Sequence, residues 1–327
     1  MNEIAIAGGV TTESVSEAEA ACMRRSAREQ IIGRFPRPLD RQDTRDHFRL
    51  AARHETILPE RVRDALARLR DGATDAVVLH GLPADDRTGP DAPPLLGWTW
   101  LAMVTRQLGH EFGYRAEKNG DLVHDVRPRP DGAATQSNAS SAVDLSLHTE
   151  VAFHDVRPDF VVLYGVRSPQ PRPATRLVRI ADAVRECRPE TVRRLREPRF
   201  RIAAPESFSP AGRAATEGVG PIGGSPGWPT VRWHSSITGS TAQDRAAIAD
   251  FLDCAERVAH RVRLGPGSLV VFSNNRCLHG RDSFTAQYDA SDRWLLRTYV
   301  LRDVTRLMTR YGPAPDGDGI RTLAEAA

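Results

Sequence analysis

The stretch Leu145-Ser-Leu-His-Thr-Glu150 decides how this chain is read. It has the look of extended chain, and in a strand side chains two positions apart face the same way. His148 and Glu150 therefore converge from one face. An imidazole and a carboxylate so placed supply two of the three ligands of a two-histidine, one-carboxylate centre of the non-haem iron kind. A His-x-Glu pair by itself is common in proteins, so the third ligand, and the reading with it, must come from elsewhere in the chain.

Working outward, the composition sets bounds. A chain of 327 residues that is 40% hydrophobic can bury one large core, and sheet-rich proteins of this size often form one domain. Lys and Arg number 45 against 42 Asp and Glu, a formal net charge of +3 with arginines scattered along the chain. No strong field draws it to nucleic acid or to an anionic membrane. Cys22, Cys187, Cys254 and Cys277 form no Cys-x-x-Cys pair and are too sparse for a disulfide framework, which fits reduced thiols in a cytoplasm. The first residues lack the pattern of a signal peptide, and no apolar run approaches the roughly 20 residues that span a bilayer.

Upstream of the opening stretch, residues up to about 45 predict a helical start followed by a loop at Phe35-Pro-Arg-Pro38. Residues 59–70 predict a surface helix, 75–83 a short strand, and 98–112 a further helix. From Tyr114 to about Leu301 the pattern changes to short strands broken by Gly and Pro, with 161–166 and 175–180 as buried strands and 183–195 as a helix. Residues 205–229 are too rich in Gly, Pro and Ser for regular structure and read as a lid. Residues 241–264 carry one apolar stripe through Phe251, Ala255 and Val262 and predict a single core helix. The tail over 312–327 reads as frayed.

Downstream, Gly267-Ser-Leu-Val-Val-Phe272 predicts a strand, a turn follows at 273–275, and Arg276-Cys-Leu-His-Gly280 brings out His279, the candidate third ligand. Beyond it, in Asp292-Arg-Trp-Leu-Leu-Arg-Thr-Tyr-Val300, Arg293, Leu295, Arg297 and Tyr299 share one strand face. Two arginines on an otherwise apolar face need anionic partners, because burying either unpaired is costly and guanidinium suits bidentate capture of a carboxylate.

Together these residues resemble a family. The chain is similar to the clavaminate synthase-like branch of the Fe(II)/2-oxoglutarate dioxygenases, which includes arginine, asparagine and lysine hydroxylases acting on free amino acids. The resemblance runs from about Glu117 to Val300. It is carried by Glu117-Lys-Asn-Gly-Asp-Leu-Val-His-Asp-Val-Arg-Pro128, Gln136-Ser-Asn-Ala-Ser-Ser141, Leu147-His-Thr-Glu-Val-Ala-Phe-His154, Arg157-Pro-Asp-Phe160 and Asn275-Arg-Cys-Leu-His-Gly-Arg281. It implies an α+β fold, a distorted double-stranded β-helix (jelly-roll) barrel with flanking helices. One domain would cover 1–327, with mostly helical elements over 1–113 packing on a core over 114–301.

The resemblance also implies roles. His148, Glu150 and His279 would hold Fe(II), with sites left for O2 and for 2-oxoglutarate as cosubstrate. Arg293, helped by the hydroxyl of Thr175, would clamp the far carboxylate of 2-oxoglutarate. Glu117 would meet the α-amino group of a small-molecule amino-acid substrate and Arg297 its α-carboxylate, with Asn138, Ser140 and Ser141 completing the grip. The implied reaction couples decarboxylation of 2-oxoglutarate to succinate with hydroxylation of an unactivated C–H bond, most often at the β carbon; desaturation and cyclisation are the other known outcomes. His154 would support the metal ligands from behind.

One departure bears on substrate. Where the lysine and arginine hydroxylases carry an acidic pair, Trp233-His-Ser-Ser236 places His234 and Ser236, with Arg232 alongside. This points to a neutral or acidic side chain rather than lysine or arginine. Two competing readings are the same chemistry on a carrier-tethered amino acid, and a metal-binding barrel that serves as a binding module.

Overall fold

The computed structural model describes residues 9–35, 41–86, 88–89, 92–114, 116–205, 208, 215–305, 307, 309 and 321–323. Its helix and strand content is mixed, and two sheets organise it. The larger has eight strands in the order Val10–Ser14, Ala76–His80, Leu269–Ser273, Phe160–Arg167, Trp294–Leu301, His110–Tyr114 and Arg321–Leu323, with His124–Val126 also paired to Trp294–Leu301. The smaller has four: His260–Val262, Thr175–Arg179, Cys277–Arg281 and Leu145–His148.

The period-two alternation of these strands sorts the side chains into layers. On Phe160–Arg167 and Trp294–Leu301, Phe160, Val162, Tyr164, Leu296 and Val300 face one core with Leu96, Trp100 and Val104 of the helix Leu95–Leu108. The intervening Val161, Leu163, Leu295 and Tyr299 face a second core, which they share with Leu177 and Cys277 of the smaller sheet. The far side of that smaller sheet presents Leu147, Val178 and Leu278 to a third core with Trp233, Phe251 and Ala255. The order is thus helix, large sheet, small sheet, helix. His279, on the same strand face as Cys277, lies between the two sheets.

Several expectations are corrected. The strand expected over 75–83 is Ala76–His80, but Val10–Ser14, not expected, pairs beside it, and both extend the large sheet, so the chain before Tyr114 contributes strands to it as well as helices. A five-residue strand whose partner lies far along the chain leaves little local signal. A helix over Arg41–Ala52, not expected from the sequence, follows the expected loop, of which residues 36–38 lie outside the described residues. Within the Gly- and Pro-rich region Ala215–Val219, Ile222–Ser225 and Trp228–Val231 are strands. Two of its glycines take left-handed backbone inside these strands, Gly218 with a φ of +64° where the pairing with Phe200–Ala203 shifts register and Gly224 with a φ of +73°. Residues 206–207 and 209–214 of the expected lid lie outside the described residues.

The long helix ends at Arg257 with Val258 as its cap, and Val262 of its expected stripe belongs to the strand His260–Val262. Its start is as the sequence predicts, Thr241 and Asp244 closing a capping box. The single helix over 183–195 is two, Ile180–Glu186 and Pro189–Leu195, because Pro189 opens a new first turn. Of the tail, Arg321–Leu323 pairs with His110–Tyr114, and the remainder lies outside the described residues.

Candidate metal centre and its two cavities

His148 ends its strand and His279 sits inside the neighbouring antiparallel one, and the two are register partners. Gly280 makes this approach feasible, since a Cβ there would meet the Leu145 carbonyl oxygen at 2.6 Å. The imidazole centroids are 4.2 Å apart. Glu150 follows across Thr149, whose N–H donates to the Trp233 carbonyl at 2.8 Å. One ligand atom from each of His148, Glu150 and His279 falls within 4.8 Å of the other two.

The donor set fits a divalent transition metal. The Nδ1 of His148 lies 2.8 Å from the Ser146 carbonyl, which can only accept, so Nδ1 carries the proton and Nε2 keeps its lone pair. Burial, with the neighbouring His279 adding to it, lowers the His148 pKa to about 3, so the ring is neutral, the form that ligates. Nε2 of His279 lies 3.4 Å from Glu150 Oε1, and its buried Nδ1 has no partner among the described residues. Burial alone would raise the Glu150 carboxyl, but Arg297 and His279 hold it well below the usual range.

The backbone here is strained and braced. Val151, next to Glu150, has a φ of +54°, which a β-branched residue adopts only under constraint. Buried Asn274 supplies that constraint. Its Oδ1 accepts from Glu150 N–H at 2.8 Å, and its Nδ2 donates to the carbonyls of Glu150 and Pro158, both at 3.1 Å.

Behind Glu150 lies a buried ionic network. Arg297 donates to Glu150 Oε1 at 2.7 Å, to Glu117 Oε1 and to Nδ1 of His124 at 2.9 Å. The Tyr299 hydroxyl is 3.0 Å from Glu150 Oε2 and 3.1 Å from Glu117 Oε2. Burial would lower the Arg297 pKa, but Glu150 and Glu117 raise it. His124 is lowered to about 3, by burial and then by Arg297, so it contributes no charge. Two carboxylates thus share one guanidinium, leaving a net negative charge of one beside the metal ligands.

Two cavities meet here. The larger, about 220 Å³, has Glu117, Asn138, His148, Glu150, His234 and Tyr299 among its lining residues, and Phe153, Pro205 and Phe208 form an apolar wall. The Phe153 and Phe208 rings are 4.8 Å apart, and Phe208 also packs on Tyr114. The smaller, about 30 Å³, is lined by His279, Glu150, Thr175 and three arginines, Arg281, Arg293 and Arg297. Arg293 is 6% exposed, and NH2 donates to Thr175 Oγ1 at 3.3 Å. Among the described residues no carboxylate pairs with it, and its buried Nε has no partner. Burial, and then the charge of Arg281, lower its pKa to about 9.

Of the residues singled out from sequence, His148, Glu150 and His279 come together, Arg293 meets Thr175, and Glu117, Asn138 and His234 line the larger cavity. Others sit differently. Arg297 lines only the smaller cavity and is engaged by Glu117 and Glu150. Ser140 and Ser141 are buried off the cavities: the Ser140 hydroxyl donates to the Ser137 carbonyl at 2.8 Å, and that of Ser141 lies 3.4 Å from the Tyr288 hydroxyl. Ser236 turns away to donate to the Ala203 carbonyl at 2.8 Å and holds Nδ1 of His234 at 2.7 Å, so its neighbour Ser235 lines the cavity instead. Arg232 points to the Ala152 carbonyl and Thr216. His154 braces a turn at Val156 and packs on Tyr114 rather than on a ligand.

Three residues carry no role in the sequence reading: Tyr299, although alternation places it on the face of Arg297, and Asn274 and His124, whose partners at the site lie far away in sequence.

Comparison with known proteins bears on this arrangement. Residues 37–299 match the family described as Taurine catabolism dioxygenase TauD, TfdA family. The L-asparagine oxygenase of Streptomyces coelicolor is 36% identical over 257 residues, covering 75% of this chain and 76% of that protein. Clavaminate synthase 2 of Streptomyces clavuligerus is 30% identical over 273 residues, covering 78% and 82%. Among solved structures, an asparagine oxygenase in complex with Fe(II), 2S,3S-3-hydroxyasparagine and succinate superposes with a TM-score of 0.83 at 29% identity, covering 96% of this chain and 99% of that one. This chain belongs to the TauD/TfdA dioxygenase family.

Proposed function

We propose that this chain is an Fe(II)/2-oxoglutarate-dependent hydroxylase of a free L-amino acid, acting at the β carbon. The observation that carries the proposal is Arg293: a buried guanidinium with no carboxylate partner among the described residues, in a cavity shared with His279 and Glu150. Such a charge calls for an anionic ligand, and the carboxylate of a keto acid next to a metal centre answers it. The succinate in the related asparagine oxygenase complex is the product expected of 2-oxoglutarate.

In this reading His148, Glu150 and His279 hold the iron, and Arg293 with Thr175 takes the far carboxylate of 2-oxoglutarate. Bound Fe(II) supplies O2 activation, coupled to decarboxylation of the keto acid and hydroxylation of the substrate. The chain itself orients and shields. Arg297 and Tyr299 fix the free edge of Glu150; Glu117, which shares its guanidinium, retains negative charge for an α-ammonium group. Arg297, engaged by Glu117 and Glu150, holds that pair in place, and Asn138 lines both cavities. Phe153, Pro205 and Phe208 exclude water, which supports a lid role for the segment from 205 onward. The two facing sheets are the halves of a distorted jelly roll in a single domain.

Among the described residues the larger cavity has no lining carboxylate other than Glu117 and Glu150, both engaged by Arg297. His234 is kept uncharged by burial. A neutral or acidic side chain is accordingly favoured over lysine or arginine. A panel of free L-amino acids assayed for 2-oxoglutarate-dependent succinate release tests this. Turnover of asparagine-like or acidic members is expected, and turnover of lysine or arginine alone contradicts it.

A further inference from the structure

Arg281 ends the strand that carries His279 and, two residues on, faces the same side. It lines the smaller cavity with Arg293 yet is 5% exposed, and among the described residues no carboxylate pairs with it. Its fork is spent on the segment before the metal strand: it donates to the Ser140 carbonyl, to Ser140 Oγ at 3.0 Å and to the Val143 carbonyl at 3.0 Å. The relay continues, because Ser140 Oγ passes its own proton to the Ser137 carbonyl at 2.8 Å. Gln136, Ser137 and Asn138, at the end of that relay, line the larger cavity, and Asn138 lines both.

We propose that Arg281 is a positioning residue that couples a dicarboxylate in the smaller cavity to the substrate-facing segment 136–141 through Ser140. This rests on the cosubstrate reading above. Without an anion, two like charges share a small buried space and repel. An anion between them draws both guanidinium groups to fixed positions; a fixed Arg281 fork fixes both oxygens of Ser140, and with them Ser137 and Asn138. By linkage the amino acid strengthens cosubstrate binding by the same factor.

Hydrogen exchange of the Fe(II)-loaded protein under anaerobic conditions, with and without 2-oxoglutarate, tests the proposal. In the wild type 2-oxoglutarate slows exchange at least about fivefold in 136–143 as well as in 292–297. Arg281→Lys keeps the charge but not the fork; there 292–297 stays protected and the effect on 136–143 disappears. Equal protection of 136–143 in both proteins, or protection of 292–297 alone in the wild type, overturns the coupling. No protection of either segment in the wild type instead refutes the cosubstrate reading. Should Arg281→Lys fail to bind 2-oxoglutarate, Ser140→Ala, which leaves both arginines, decides: protection of 136–143 falls at least twofold, and full protection overturns the proposal.

Discussion

His148 and His279 face each other across one antiparallel rung of the small sheet, their rings 4.2 Å apart. The metal centre is therefore a property of strand register. Slipping either strand by one residue turns an imidazole to the opposite face and dismantles the site. Positions on a sheet hold ligands more rigidly than a loop does, and only Glu150 relies on a strained turn that needs outside support.

Tyr299→Phe removes the hydroxyl that reaches both Glu150 and Glu117. The ring still packs between Phe112 and Tyr114, so the fold is kept. Partners behind metal ligands are typically worth 10- to 100-fold in affinity or activity. Fe(II) affinity, measured by anaerobic titration, is expected to drop by about tenfold or more with an unchanged urea midpoint.

Asn274→Ala removes three hydrogen bonds that clamp the turn at Glu150 and leaves buried backbone groups unpaired. The expected loss is about 3 kcal/mol or more of unfolding free energy, from three backbone groups at about 1 to 3 kcal/mol for each buried group left unsatisfied. Urea denaturation measures it. Unlike Tyr299→Phe, this change is expected to lower stability and metal affinity together.

His234→Asp puts a carboxylate into a cavity where, among the described residues, the two others are already engaged by Arg297. A cationic side chain then gains a partner that the wild type lacks, while an acidic one meets repulsion. The ratio of kcat/KM for lysine or arginine to that for asparagine is expected to rise at least about tenfold, read by succinate release.

Asp244 gives a pH signature remote from the site. Burial would raise its pKa, but bonds from Thr241 and Arg194 lower it to about 2. The unfolded carboxyl titrates near 3.8, so between the two values the unfolded chain binds more protons. The stabilisation is therefore complete above about pH 4 and is lost as pH falls through 2. Asp244→Asn is expected to be less stable than the wild type at pH 7, with the difference gone near pH 2. Urea midpoints across this range measure it.

Much of this site was legible in the sequence because strand chemistry has a period of two. His148 with Glu150, and Arg293 with Arg297 and Tyr299, could be placed on shared faces without knowing their neighbours. What escaped depends on partners distant along the chain: Asn274 looks like any turn residue until the Glu150 backbone is laid against it, and Arg297 looks free for a substrate until Glu117 and Glu150 close on it. Ser140 has a loop residue's composition and a buried residue's place, which only the Arg281 fork reveals. The Gly- and Pro-rich region misled for the opposite reason, since glycines set within short paired strands resemble those of an irregular loop.

The central claim is that the unpaired charge of Arg293 exists to bind the cosubstrate. Its most direct test is calorimetric titration of 2-oxoglutarate into the Fe(II)-loaded protein without oxygen, comparing the wild type with Arg293→Met. The loss of a charge-assisted pair worth about 2 to 3 kcal/mol predicts a Kd weakened about 30- to 150-fold in the variant. An equal Kd in the two proteins would contradict the account.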